Sequence, residues 1–267
     1  MRINLLYLLA LFLCLTSCLE LGSDDAEPKE DCRLASSTTT VKNSEGSVFS
    51  YKLNYTYNED GRLASIAAPD TNSLNIRFTY DAQGRLISER LDQTTWTSEY
   101  NALDQVVKQT HTFEFAPGRY EVYYLVHQYN NTGLLEETRH YLPNEEGDVL
   151  GYTFRYSYSN GKMSGVEKIS GYSLSHHKAT FVTDDKKVPT PTQAMHMLYL
   201  FRDETLPMMG LLTGNLTSFN VTEGEFQAGF KSFNASITYN DAGYPTAVTR
   251  EYANGATENS TYTYSCE

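Results

Sequence analysis

The stretch FTYDAQGRL, residues 78–86, predicts two β-strand ends and the tight turn that joins them. Its first three residues favour β-structure and alternate apolar, polar, apolar. Asp81 can accept a backbone hydrogen bond that starts a turn, and Gly84 supplies the positive φ that closes a type I turn followed by a bulge. Arg85 is then expected to point to water, while Leu86 returns to the apolar face. Such a turn predicts antiparallel pairing of the flanking strands.

Variants of this stretch recur almost to the end of the chain, at a spacing of about 20 to 30 residues. The copies are YTYNEDGRL with Gly61 and Arg62, YNALDQV at 100–106, YNNTGLL with Gly133, YSYSNGKM with Gly161 and YNDAGYP with Gly243. Any β-hairpin protein can contain one such turn. Several copies with the same tyrosine and Asn/Asp lead-in predict a repeat architecture, each repeat being one strand–turn–strand unit.

The N-terminus carries the features of a lipoprotein export signal. Residues 1–17 contain Arg2 followed by the apolar run Leu5–Leu13, which is of signal-peptide length and too short to span a membrane as a helix. Leu15-Thr16-Ser17-Cys18 resembles a lipobox, so cleavage before Cys18 and lipidation of its sulfur are expected. The alternative is an ordinary signal peptide with a chance cysteine.

Residues 18–31 predict a flexible acidic tether between the lipidated cysteine and a domain at 32–267. Within it, Ser23-Asp24-Asp25 resembles the acidic signal that Bacteroidetes place after the lipidated cysteine for surface display. A plain acidic tether explains the same residues. The expected location is therefore the cell envelope, as an outer-membrane lipoprotein held by its lipid anchor, with surface exposure as the finer expectation.

The repeat carries a resemblance to known proteins. Tyr-Asp-x-x-Gly-Arg-Leu resembles the core of the YD (Rhs-type) repeat, most specifically in the copies at Gly61 and Gly84. Its use in a short lipoprotein resembles a family of uncharacterised domains with a porin-like β fold, common in Bacteroidetes. The resemblance spans roughly residues 50–265, with a gap at about 185–235. Large Rhs proteins form shells around toxins, and this chain is too short for that. The resemblance therefore implies an architecture and no activity or catalytic residues.

The fold class predicted is all-β. In Phe49–Tyr57 apolar or aromatic residues alternate with polar ones, and similar alternation recurs to the end of the chain. About 12–15 strands in a long meander of antiparallel hairpins would curl into a porin-like or partly open barrel, because long twisted sheets close or curl. A transmembrane barrel shows the same alternation. The tyrosine hydroxyls on the apolar face and the separate lipid anchor favour a water-soluble barrel.

The segment 189–215 interrupts the strand pattern. Pro189-Thr190-Pro191 predicts a stiff connector, and a short helical insertion is expected near 192–212. Its methionines, Met195, Met197, Met208 and Met209, could line a ligand seat if the segment is a plug or lid. The alternative is that this segment only fills the core.

Of the four cysteines, Cys14 leaves with the signal peptide and Cys18 takes the lipid. Cys32 and Cys266 remain as an even pair at the two ends of the domain. In an oxidising compartment this predicts a disulfide between the first ordered segment and the last strand, with two free thiols as the alternative.

Composition and motifs narrow the function. The formal net charge of −12 argues against a nucleic-acid partner. The chain has no recognised hydrolase, phosphate-loop or zinc motif, so we expect no enzyme, no cofactor and no metal site. His176-His177 on a strand would face opposite sides, and a surface loop is favoured. Glu136-Glu137 and Glu145-Glu146 are expected on solvated edges.

Two functions remain open. The first is a surface-displayed lipoprotein with a binding or structural role, whose partner would be an envelope protein or other envelope component. The second is a glycan-binding protein of a polysaccharide-uptake system, because aromatic rings stack on sugar faces. The residues chosen as ligand-facing candidates are Tyr51, Trp96, Tyr123, Tyr124 and Tyr172. An exposed cluster of these rings in a groove would favour the second function.

Overall fold

A computed structural model of the protein describes residues 32–69, 74–172, 175–189, 212–224 and 231–266. These residues form sixteen β-strands: β1 (Cys32–Lys42), β2 (Val48–Tyr57), β3 (Leu63–Ala67), β4 (Asn75–Tyr80), β5 (Leu86–Leu91), β6 (Thr94–Tyr100), β7 (Val106–Ala116), β8 (Arg119–Tyr129), β9 (Leu135–Leu142), β10 (Val149–Ser159), β11 (Lys162–Ser170), β12 (His176–Thr183), β13 (Leu216–Glu223), β14 (Phe233–Tyr239), β15 (Pro245–Tyr252) and β16 (Thr257–Cys266).

Each strand pairs antiparallel with the next, and β1 pairs with β16, so the sheet closes into a barrel. The predicted all-β meander is confirmed. The barrel is closed rather than partly open, and its sixteen strands exceed the predicted 12–15. Closure gives each of the sixteen described strands a neighbour on both sides, which reduces the aggregation hazard of an open edge.

No helix occurs among the described residues, and accordingly none that could span a membrane. The helix predicted near 192–212 falls, except for Leu212, outside those residues, as do its four methionines. Asn215 donates its backbone N–H to Asp184 Oδ1 and its side-chain amide to the carbonyl of Lys187, both at 2.9 Å. The described residues on either side of 190–211 therefore lie together.

The turns that follow β2, β4, β6, β8 and β14 share one geometry and lie at one end of the barrel, here called the repeat-turn end. In the copy at 81–85, Asp81 N–H donates to the carbonyl of Arg85 and Gly84 N–H donates to that of Asp81, both at 3.0 Å. Asp81 Oδ1 also accepts from Gln83 and Arg85 N–H. The turn glycines have φ of 75° at Gly61, 84° at Gly84, 80° at Gly133 and 82° at Gly243.

Two copies of the turn differ in sequence from the copy at 81–85, and their backbone angles follow from the difference. In the glycine-free copy Asp104 takes the positive φ, at 57°, because a short polar side chain tolerates the left-handed region. The copy one residue shorter places Asn160 and Gly161 at φ of 51° and 75°, as a two-residue hairpin turn requires.

The tyrosines of the repeat join one strand to the strand before it. The last tyrosine of an even-numbered strand donates its hydroxyl proton to a carbonyl near the start of the preceding strand. The pairs are Tyr57–Leu34, Tyr80–Leu63, Tyr100–Leu86, Tyr129–Val106, Tyr158–Leu135 and Tyr264–Pro245, at 2.7 to 3.0 Å. This bond satisfies the hydroxyl of a partly buried ring.

Arginines extend the same connection from one turn to the next. Arg62 lies 5.8 Å from the ring centroid of Tyr80 and Arg85 lies 4.9 Å from that of Tyr100. Arg85 also bonds Asp81 at 2.7 Å and Asp104 at 3.0 Å. Arg85 lies at the surface, with 32% of its side chain exposed, and in addition a neighbouring turn offers it an aromatic face and a second carboxylate.

Alanine at Gly84 and at Gly243 should separate backbone strain from this inter-turn contact. Both glycines have nearly the same positive φ, so either substitution should cost about 1–2 kcal/mol. A Cβ at Gly84 would also meet the Arg62 guanidinium, whereas nothing lies within 4 Å of one at Gly243. We expect Gly84→Ala to be more destabilising by about 0.5–1 kcal/mol, the value of the lost cation–π contact. Urea unfolding measures both; equal losses would contradict the contact.

The barrel interior holds two apolar clusters. One is formed on β1–β6 and β8 around Ile66, Ile76 and Phe78, and the other on β9–β15 around Phe154 and Phe219. These five side chains are at most 8% exposed, so the interior is packed with side chains over much of its wall. Alternation along each strand directs these residues inward and the polar ones outward.

The end opposite the repeat turns, here called the far end, is where the hairpin β1–β2 projects. Residues 48–52 of β2 are exposed on both faces. Phe49 and Tyr51 are 49% and 43% exposed, although the alternation places them on the same face as the buried Leu53 and Tyr55. Alternation alone therefore does not decide burial, which also depends on what lies opposite a strand.

Cys32 and Cys266 are directly opposite each other on β1 and β16, and they form a disulfide. The disulfide prediction is confirmed. It links the first and last strands at the closure point of the barrel.

Candidate ligand site in the barrel interior

Six side chains form a continuous row on the inner wall of β5–β10, close to the far end. We call this row the polar-aromatic belt, and its members are Glu89, Trp96, His111, Tyr123, His140 and Tyr152. Most neighbours in the row are direct cross-strand partners: Glu89 with Trp96, Trp96 with His111, His111 with Tyr123, and His140 with Tyr152. The row exists because antiparallel register places inward positions of successive strands side by side.

The five rings of the belt contact one another in sequence. Ring centroids are 4.8 Å apart for Trp96–His111, 4.2 Å for His111–Tyr123 and 4.8 Å for Tyr123–His140. His140 and Tyr152 lie 4.2 Å apart and almost parallel, at an interplanar angle of 5°. Trp96 and Tyr152 also belong to or contact the two apolar clusters. The belt thus connects both halves of the core.

A second inward row on the same strands is fully hydrogen-bonded. His127 Nε2 bonds Gln109 Oε1 at 3.1 Å, and His127 Nδ1 bonds Thr138 Oγ1 at 2.9 Å. Tyr156 donates its hydroxyl proton to Thr138 Oγ1 at 3.1 Å. We call this row the bonded row. It shows that this wall of the barrel can satisfy buried polar groups.

The belt does not satisfy its own polar groups. Considering only the part of the chain that the structure describes, four buried belt atoms lack a hydrogen-bond partner: Glu89 Oε2, Trp96 Nε1, His111 Nδ1 and His140 Nδ1. Glu89, Trp96 and His140 are at least nine-tenths buried, with 2%, 5% and 4% of their surface exposed. An unpartnered buried polar group costs about 1–3 kcal/mol, so four of them are expensive to retain.

Burial also sets the charge of the belt. It raises the pKa of the Glu89 carboxyl to about 8, so that this group is mainly protonated at neutral pH. Burial likewise lowers the pKa of His111 to about 4. The pKa of His140 is also lowered to about 4, mainly by burial and in smaller part by the nearby Lys168 cation. The belt is therefore uncharged at pH 7.

Two further residues shape the site. Lys168 Nζ lies 4.4 Å from the ring centroid of Tyr152, a cation–π contact at the end of the belt. Gly151 leaves the space that the His140 ring occupies, since a Cβ at this position would lie 2.5 Å from His140 Nδ1. A side chain at position 151 would thus displace the His140 ring.

The structure separates the five residues predicted to face a ligand. Trp96 and Tyr123 come together in the belt, with ring centroids 5.4 Å apart. Tyr124 lies on the outer face, stacked on Tyr141 and bonded to Asp148. Tyr51 is on the projecting part of β2, and Tyr172 is exposed in the connection between β11 and β12. The five candidates therefore do not share one site, because strand alternation places Tyr123 and Tyr124 on opposite faces.

Sequence reasoning missed Glu89, His111, His140 and Gly151. A usable signal was present for His111, which has the same strand parity as the apolar Phe113 and Phe115. Polar residues at inward positions are the sequence sign of a buried polar site. The row that they form could not be seen, because it depends on the register of six strands.

The other motifs considered for chemistry have structural partners. His176 and His177 begin β12 rather than lying in a surface loop, and as strand neighbours they face opposite sides. His176 bonds Glu167 at 2.6 Å and Glu223 at 3.0 Å on the outer face. Glu137 is paired with Arg139 and Arg155. Among the described residues, no group of three or more His, Cys, Asp or Glu could hold a metal ion.

The protein is, by its geometry, a closed porin-like β-barrel whose hairpins carry YD-type turns. Residues 57–95 match the RHS Repeat family, and this range includes the copies at Gly61 and Gly84. The resemblance of these turns to the YD repeat is therefore confirmed. No curated protein matches the chain.

Two solved structures are similar to this chain. One is a porin-like protein from Bacteroides uniformis ATCC 8492, with a TM-score of 0.55 and 14% identity, covering 87% of this chain and 98% of that one. The other is a porin-like protein from Bacteroides vulgatus ATCC 8482, with a TM-score of 0.52 and 10% identity, covering 88% of this chain and 99% of that one. At these identities the likeness is one of fold.

Proposed function

We propose that the protein is an outer-membrane lipoprotein, exposed at the cell surface, with a non-catalytic binding role. The observation that carries this proposal is the lipobox-like Leu15–Cys18, followed by thirteen residues before the first strand begins at Cys32. The proposed organisation is a signal peptide at 1–17, a lipidated Cys18 with its tether at 18–31, and the barrel domain at 32–267. Several acyl chains on one cysteine give a stable membrane anchor, whereas one chain would be marginal.

A binding role fits the interior better than a catalytic one. Glu137, one of the carboxylates that sequence alone leaves open as part of an acid/base pair, is engaged in ion pairs with Arg139 and Arg155. The similar solved structures are described as porin-like proteins from Bacteroides, which supports an envelope location for this chain. The partner expected at the surface is an envelope component, and nucleic acid is disfavoured by the net charge of −12.

Replacing Cys18 by alanine should block maturation. The precursor should keep its signal peptide, and metabolic labelling with a fatty acid should fall to background, because the thiol that receives the lipid is absent. Cys14→Ala is the matched control, since Cys14 lies within the signal peptide and should leave processing intact. Globomycin should reproduce the Cys18→Ala phenotype in the native chain. Unchanged processing of Cys18→Ala would refute the lipoprotein assignment.

A glycan-binding role is the second candidate, and one observation favours it. Trp96 and Tyr123 lie together beside polar atoms that lack partners. Aromatic rings next to hydrogen-bonding groups are the common composition of small-molecule sites.

A further inference from the structure

We propose that the polar-aromatic belt is the binding site of a small uncharged ligand with several hydroxyl groups on a saturated ring, such as one sugar unit. The proposal rests on the binding role proposed above and specifies its site and its ligand class. The evidence for it is that, of the two polar rows on β5–β10, the bonded row satisfies its hydrogen bonds and the polar-aromatic belt does not.

The unpartnered atoms of the belt do not reflect poor packing of this wall of the barrel in general. The bonded row is built on β7–β10, strands that also carry the belt, and its side chains bond one another at 2.9 to 3.1 Å. The belt, on the same wall, retains four unpartnered polar atoms on the neighbouring strands β5, β6, β7 and β9. Since a fold that can satisfy one row leaves the adjacent one open, the missing partners are to be supplied by a ligand.

The four unpartnered atoms differ in whether they donate or accept hydrogen bonds. Trp96 Nε1 can only donate a hydrogen bond, a protonated Glu89 can donate and accept, and each histidine Nδ1 does either according to its tautomer. A hydroxyl group both donates and accepts, so a polyhydroxylated molecule can pair with all four. The rings of Trp96 and Tyr123 would contact its C–H surface.

The charge of the belt restricts the charge of its ligand. The belt is uncharged at neutral pH, and burying a charged ligand against it would carry a desolvation penalty without compensation. The ammonium of Lys168 already contacts Tyr152 at the end of the row. An uncharged ligand is therefore favoured over a sugar acid.

A ligand can reach the belt from one end of the barrel. His111 and Tyr123 are only partly buried, and Tyr123 directly follows the exposed residues 119–122 at the start of β8. The ligand would therefore arrive from the far end of the barrel and pass these two rings before reaching Trp96.

Trp96 is the only tryptophan of the chain, so its fluorescence reports on this site alone. The full mature chain is titrated with glucose, galactose, mannose, xylose and N-acetylglucosamine, and with glucuronate as a charged comparison. We expect a saturable change in Trp96 emission with at least one neutral sugar, a rise in melting temperature at the same concentrations, and a weaker response to glucuronate.

Three variants locate the site. His140→Gln and Glu89→Gln keep the size of a polar side chain but alter its hydrogen bonds, and Gly151→Ala displaces the His140 ring. Each should weaken binding about tenfold, the value of one hydrogen bond. Tyr124→Phe is the matched control, because Tyr124 neighbours Tyr123 but lies on the outer face, and it should bind as the native chain does. Circular dichroism shows whether each variant folds, and any one folded belt variant is sufficient for the test.

The possible results distinguish an error in the ligand class from an error in the site and from an error in the lipid anchor. No saturable response to any neutral sugar would overturn the ligand class, as would tighter binding of glucuronate. Binding that all folded belt variants retain would overturn the site, and would leave a binding protein whose seat is elsewhere. The Cys18→Ala experiment addresses the lipid anchor alone, so its failure would leave the fluorescence result standing.

Discussion

A chain in which serine replaces both Cys32 and Cys266 should unfold at a temperature about 10 °C below that of the native chain. The disulfide joins residues 234 positions apart, so it restricts the unfolded chain strongly. The chain-entropy account gives about 5 kcal/mol for such a loop, as an upper figure. Thermal unfolding followed by circular dichroism measures the difference.

Reductant provides the control for this experiment. Dithiothreitol should bring the native chain to the melting temperature of the double serine variant and should leave that variant unchanged. Equal melting temperatures of the native and double serine chains without reductant would show that pairing of β1 with β16 alone closes the barrel.

Glu89→Gln should stabilise the protein at alkaline pH and have little effect in acid. Burial raises the pKa of Glu89 from 4.5 to about 8, so the folded state retains a proton that the unfolded chain releases. The stability from this proton is complete below pH 4.5 and is lost as the pH rises towards 8. A neutral amide escapes this loss, which amounts to roughly 5 kcal/mol over the whole range.

Urea unfolding at pH 5, 7 and 9 measures this effect. His111 and His140 act in the opposite direction, because burial lowers their pKa to about 4 and their contribution is lost as the pH falls below about 6.5. Both histidines remain in the variant, so the difference between the two chains isolates Glu89. Glu136→Gln, at an exposed position of β9, controls for the change in net charge. Parallel stability profiles for native and Glu89→Gln chains would contradict the burial of an unpartnered carboxyl.

The repeat turns were predictable because their chemistry is local. Asp81 and Gly84 belong to one five-residue turn, and their roles follow from a side-chain acceptor and a positive φ within that turn. The disulfide followed from counting, since the expected export signal would remove Cys14 and lipid would occupy Cys18. The all-β class followed from alternation with a period of two.

The candidate site was predictable only in part. Trp96 and Tyr123 were chosen as aromatic residues, but Tyr124 was chosen on equal grounds and lies on the outer face. Glu89 and His140 were not chosen, because each is ordinary in its own segment and acquires meaning only from its neighbours across the sheet. The contact of Arg85 with Tyr100 was missed for the same reason.

The amino-acid sequence sets the strands, the turns between them and the cysteine pair, because each depends on residues that are close in the chain or on a simple count. The closure of β1 onto β16, the register that aligns six belt residues, and the row of polar atoms without partners arise only in the folded barrel. They depend on contacts between strands whose relative heights no local segment encodes. A one-residue change in the register of β9 would turn His140 away from Tyr123 and abolish the belt, although every residue of the belt would be the same.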